Sequence, residues 1–117
     1  MARGKRNGSS ISKDMVAASA KPLLLSILAR GESYGYAVLQ SVRVLSDGEI
    51  EWTDGMLYPV LHRLERDGMV RSKWKKAETG RRRTYYSLTA AGKRALADEK
   101  RQWMTVHSAL ERLWSEA

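Results

Sequence analysis

At 117 residues the chain has room for one domain with a modest core, and 43% hydrophobic residues suits a folded protein rather than a disordered one. Cysteine is absent, which excludes disulfides and thiolate metal sites, and no apolar run approaches the roughly 20 residues that a membrane-spanning helix needs. The net charge of +8 points to a polyanionic partner, and it is concentrated: residues 71–83 hold seven Lys or Arg against one acid, residues 1–13 add four bases, and the rest sums to about −2.

Taken in chain order, residues 1–12 are Gly, Ser and basic residues without periodicity, and read as a flexible basic arm that either reaches DNA or remains a tail. No secretory signal pattern opens the chain, so a cytoplasmic location is expected. A helix is predicted from Asp14 to Arg30, with Val16, Leu23, Leu24, Ile27 and Leu28 on one face and Gly31 as its stop. Pro22 either starts the main helix or kinks a longer one. Residues 33–35 open a second helix with Tyr36, Val38, Leu39, Val42 and Leu45 as apolar positions, and Asp47-Gly48 makes a turn. Residues 49–52 are then expected as a short first strand.

Thr53 is a good N-cap, because its hydroxyl can accept one of the orphan amides of a following helix. Leu57, Val60, Leu61 and Leu64 recur at helical spacing, and Gly68 closes that third helix. Val70 to Lys76 and Thr84 to Leu88 alternate as strands around an Ala77-Glu78-Thr79-Gly80 turn, giving a hairpin with a basic tip. Val70, Ser72 and Trp74 share one side of it, and Tyr86 and Leu88 are expected to point inward. Thr89 caps a last helix running to about Glu116. In it Leu96, Trp103 and Leu110 are spaced by seven, as are Val106 and Leu113; extending the second series backwards meets a polar break at Glu99. Such a narrow persistent stripe suits helix pairing between two subunits.

The order predicts a mainly α fold with a small β-wing: a winged helix-turn-helix over residues 13–89, preceded by the arm and followed by a dimerisation helix at 90–117. In that fold the third helix would enter a DNA major groove, presenting Thr53, Asp54, Met56, Tyr58 and Arg63. Arg63 can fork onto a guanine edge or pair with Asp67, and Tyr58 can bind a phosphate or pack on the wing. Lys75, Lys76, Thr79, Arg81 and Arg82 would lie over phosphates or a minor groove, and Tyr36 at the start of the second helix either meets a phosphate or packs.

The ordered set Tyr34-Gly35-Tyr36, Thr53, Leu57-Tyr58-Pro59, Leu61, Arg63-Leu64-Glu65 and Asp67-Gly68 resembles the PadR family of bacterial transcriptional regulators. The wing continues the resemblance with Gly80-Arg81-Arg82-Arg83, Tyr85-Tyr86, Leu88-Thr89 and Gly92, so that it spans roughly residues 23–92. Met56 stands where that family usually has Thr, and Pro22 where many members have an ordinary helix former. The single C-terminal helix is similar to the shorter subfamily, which includes multidrug-binding repressors. The resemblance implies a homodimeric repressor on an inverted-repeat operator, released by an aromatic or cationic small molecule. It also implies a ligand role for Trp103, with Met15, Met104 and Val106 able to line the same cavity; the alternative is that Trp103 only seals the dimer interface formed with Leu96, Val106, Leu110 and Leu113.

No catalytic constellation is apparent. His62 and His107, the only histidines, fall on different helices without clustered carboxylates, and Gly80 stands alone before a basic run rather than in a phosphate loop, so no metal or cofactor is expected. Two rivals to the regulator remain open: a sequence-independent architectural DNA binder, for which charge alone would suffice, and a module whose activity is ligand sequestration.

Overall fold

The computed structural model describes residues 10–116. Most of the arm expected at 1–12, namely residues 1–9, lies outside the described residues; Ser10 donates from its amide to the Glu49 carbonyl at 2.9 Å, and Ser12 caps the first helix by accepting from the Met15 amide. That helix, α1, spans Lys13–Ala29, with Asp14 in its first turn beside the positive end of the helix dipole. Pro22 sits inside α1 rather than starting it, at the cost of one backbone hydrogen bond.

After α1 come β1 (Ser33–Tyr34), α2 (Gly35–Leu45), α3 (Asp54–Arg66), β2 (Val70–Lys76), β3 (Arg82–Leu88) and α4 (Ala90–Ser115). The sheet is antiparallel in the order β1-β3-β2. One expectation fails: residues 49–52 form no strand, and the first strand is Ser33–Tyr34. The reason is local closure against long-range pairing. The Ser46 hydroxyl accepts from the Ile50 amide at 2.9 Å and the Glu49 amide donates to the Ser46 carbonyl, so this loop folds on itself. Ser33 and Tyr34, passing the open edge of β3, pair instead with Tyr86 and Tyr85.

Burial follows the predicted periods. Leu24, Leu25, Ile27 and Leu28 of α1, Val38 and Val42 of α2, and Leu57, Leu61 and Leu64 of α3 form the core with Trp52, Val70 and Tyr86. Tyr36 and Leu45, expected among the apolar positions of α2, are exposed. Trp52 fills the core without being in a strand, and its indole N–H is buried without a partner.

Two glycines are required by close approach. A Cβ on Gly35 would fall on the Tyr58 hydroxyl of α3, and one on Gly92 would fall on the Met69 backbone carbonyl. That carbonyl also accepts from the Thr89 amide at 3.1 Å, so the end of the sheet, the cap of α4 and its first turn lock together.

The proximal half of α4 lies on α1. Leu96 packs on the core, Trp103 is half-buried, and Glu99, the polar break in the heptad series, faces Lys21 of α1 at 3.7 Å. Its distal half leaves the body: Met104, Val106, Leu110, Leu113 and Trp114 are all exposed.

Candidate nucleic-acid interface

The outward face of α3 is set by the three leucines it buries. With Leu57, Leu61 and Leu64 directed inward, the 3.6-residue period puts Gly55, Pro59, His62 and Arg66 at the centre of the opposite side. All four are exposed. The candidates chosen from sequence flank this stripe rather than occupy it. Tyr58 lies on the wing side, and Met56 and Arg63 lie on the α1 side, lining a groove with Val16, Ala17, Ala20 and Val60. Met56 is also partly buried against the core. The sequence pattern already puts His62 and Arg66 on the outer face, together with Asp54, Met56, Tyr58 and Arg63; the phase of the buried leucines narrows the centre of that face to Gly55, Pro59, His62 and Arg66.

Thr53 caps α3, its hydroxyl accepting from the Met56 amide at 3.3 Å, and Asp54 is exposed in the first turn. Tyr58 is partly buried and reaches α2, its hydroxyl over Gly35 and its ring 6.1 Å from that of His62, while it also lines the cleft toward the wing. Arg63 forms no ion pair with Asp67, so its guanidinium is uncommitted among the described residues.

Tyr36 is 65% exposed, with its hydroxyl accepting from Gln40 Nε2 at 2.9 Å. It faces a cleft of about 550 Å³ whose walls are the start of α2 (Gly35, Tyr36), Tyr58 of α3, and Trp74, Arg81, Arg82 and Thr84 of the wing. Aromatic rings and guanidinium groups therefore converge where helix and wing meet. Tyr86 closes the base of this cleft. Burial, and secondarily the neighbouring Tyr58 and Glu65, push its phenol above the ordinary tyrosine value, so it stays neutral there.

The hairpin register explains how the wing tolerates its charge. Lys76 lies opposite Arg82 and Lys75 opposite Arg83, two consecutive like-charge pairs of the kind that destabilise a ladder. Aromatic faces offset them: Arg82 lies over the Trp74 ring at 4.8 Å, Arg83 over Tyr34 at 4.0 Å and Lys75 over Tyr85 at 4.6 Å. Trp74, absent from the sequence candidates, is 62% exposed beside Arg82 and lines the cleft. Among the described residues, Lys75 is the one wing cation of the seven with a carboxylate partner, Glu32. Thr79 and Arg81 lie exposed at and beside the turn.

The candidate ligand residues do not converge within one protomer. Trp103 lines a shallow hollow of about 340 Å³ with Ser19, Pro22, Leu23, Ser26 and Ile50, while Met15 and Val106 are exposed elsewhere. Among the described residues no three His, Asp or Glu side chains gather as a metal site, and no helix is long and apolar enough to cross a membrane.

Comparison with known proteins agrees with this architecture. The sequence pattern of the "Transcriptional regulator PadR-like family" matches residues 24–98. The fold is similar to a transcriptional regulator from Clostridium thermocellum, with TM-score 0.78 and 29% identity over 87% of this chain and 96% of that one. It is similar also to a PadR family transcriptional regulator from Eggerthella lenta, with TM-score 0.71 and 32% identity over 86% and 85% of the two chains. A transcriptional regulator of Mycobacterium tuberculosis is 47% identical over 47 residues, which cover 40% of this chain and 43% of that protein. With the family pattern covering well over half of its length and the winged-helix architecture in place, the chain belongs to the PadR-like family of transcriptional regulators.

Proposed function

We propose that the protein is a homodimeric DNA-binding repressor that recognises an inverted-repeat operator. The observation that carries this reading is the single cleft where α3, the start of α2 and the basic wing meet, which joins a helix face to a phosphate-seeking hairpin. Arg66 and His62 on the outer face of α3 would reach base edges, with Arg63, Thr53, Asp54 and Met56 at the flanks. Tyr36, Lys76, Thr79, Arg81, Arg82 and the neighbouring Trp74 would hold the backbone and fix register. Its role is binding rather than catalysis, in the bacterial cytoplasm.

The exposed stripe Val106, Leu110 and Leu113 supports dimerisation through α4. Trp103 would then contribute to an interface site for a flat aromatic or cationic effector, with Met15 and Val106 added across the dimer. Such an effector acts by binding one arrangement of the two reading heads better than the other. Leu96, already committed to its own protomer's core, would serve the interface only indirectly.

Titration into the protein's own promoter region and into random duplex of equal length, at about 150 mM salt, tests this. A preference of roughly 10³ or more is expected of a specific regulator. Equal binding to both would favour an architectural DNA binder, and tight ligand binding with no duplex binding would favour a sequestration module.

A further inference from the structure

The wing has two faces. Alternation along β2 and β3 puts Val70, Ser72, Trp74, Arg82, Tyr86 and Leu88 on the side of the core and the cleft, and Arg71, Lys73, Lys75, Arg83 and Tyr85 on the other, with Arg83 and Tyr34 also bordering the cleft at its edge. Just before β1, Glu32 reaches this second face and pairs with Lys75. Around that pair the groups are stacked in sequence. Lys75 lies over the Tyr85 ring, Tyr85 meets Tyr34 edge-on at 5.4 Å with 71° between planes, and Arg83 lies over Tyr34. Glu32 and Tyr34 both belong to the short segment leading into α2 at Gly35. The segment that fixes the start of α2 thus also holds the root of the wing.

We infer that Glu32 sets the strength and salt dependence of duplex binding: its carboxylate takes up the charge of Lys75, positions the wing, and withholds that lysine from DNA phosphate. The inference rests on the DNA-binding reading and departs from the expectation drawn from sequence for Lys75, which becomes a positioning residue instead of a phosphate contact. The chemistry is direct competition. A lysine ammonium satisfied by a carboxylate must lose it before neutralising a phosphate, and sequence-independent affinity depends on how many phosphates are neutralised. Lowering that count by one per protomer weakens binding to every duplex, while base-edge contacts on α3 are untouched. The ratio of operator to random binding stays the same, because the loss is common to both. The pair is partly solvent-exposed, so it contributes little to fold stability and its removal leaves a folded protein.

The experiment measures binding to operator and random duplex between about 50 and 200 mM salt for wild type, Glu32→Gln, Lys75→Ala and the double variant. Glu32→Gln should bind operator and random duplex alike about tenfold more tightly, with a salt slope steeper by about 2 for a dimer and an unchanged operator preference. Lys75→Ala alone should leave the slope within about 0.5 of wild type, and combining it with Glu32→Gln should abolish the gain. A slope reduced by about 2 in Lys75→Ala, with Glu32→Gln unchanged, would show that Lys75 already contacts phosphate and would overturn the inference. Weaker binding by Glu32→Gln to both duplexes at an unchanged slope would reduce Glu32 to a structural tie and overturn it also. A wild-type protein without salt-dependent duplex binding would sink the DNA-binding reading itself, a failure distinct from the other two.

Discussion

Gly35 and Gly92 are both closed to a methyl group, but for different reasons with different consequences. At Gly92 the obstacle is backbone, the Met69 carbonyl, which cannot move without disturbing the cap of α4. Gly92→Ala is therefore expected to cost about 1–3 kcal/mol in urea unfolding. At Gly35 the obstacle is the tip of the Tyr58 side chain, which can swing away. Gly35→Ala should cost less than about 1 kcal/mol yet weaken DNA binding, because Tyr58 forms a wall of the cleft. Trp52 offers a different contrast. Its ring fills the core while its N–H is unpaired, so Trp52→Phe removes an unsatisfied donor along with some volume and should cost far less than Trp52→Ala, for which about 3–5 kcal/mol is expected. Tyr86 gives a pH signature. Its folded-state pKa is raised from 10.0 by burial first, then by Tyr58 and Glu65, so its contribution to stability is complete below pH 10.0 and is lost as pH rises through the higher folded value. Tyr86→Phe should lack that share of the alkaline loss when unfolding is followed against pH.

At the scale of elements, the wing and α3 divide their labour. Among the described residues Arg81 and Lys76 have no carboxylate partner, so Arg81→Ala or Lys76→Ala should weaken binding to operator and random duplex alike and flatten the salt slope by about 2 per dimer. Arg66→Ala, at the centre of the outward face of α3, should reduce operator preference by about 1–3 kcal/mol for each base the arginine reads, measured as the ratio of operator to random binding. The elements themselves are largely legible in the sequence. Ser12, Thr53 and Thr89 each cap a helix through a side chain accepting from the amide three residues on, and each lies within one turn of the structure it specifies. Ser12 nevertheless reads as part of the arm, because a serine among Gly, Ser and basic residues carries no contrast. The outward face of α3 is legible only in part: its polar residues, His62 and Arg66 among them, can be read from the sequence, but one flanking the buried leucines, such as Arg63, resembles one opposite them until the phase of burial is known.

For the whole molecule, whose extents are 55 × 37 × 21 Å, the decisive feature is the distal half of α4, which carries its apolar side chains exposed beyond the core. Leu110→Asp with Leu113→Asp should make the protein monomeric by sedimentation and remove any dependence of melting temperature on protein concentration, with a large loss of operator affinity. The sequence by itself determined the approximate helix spans, the caps Thr53 and Thr89, the hairpin and its basic turn, because each is encoded by neighbours along the chain: periodicity, hydroxyl caps, turn residues. Tertiary structure alone decided that Ser33–Tyr34 and not residues 49–52 supplies the first strand, that Lys75 faces Glu32 and Arg83 faces Tyr34, and that Leu96 serves the core while Leu110 and Leu113 do not. Those outcomes join residues up to more than fifty positions apart, and no local propensity records which distant edge or ring a side chain will meet once the core has closed.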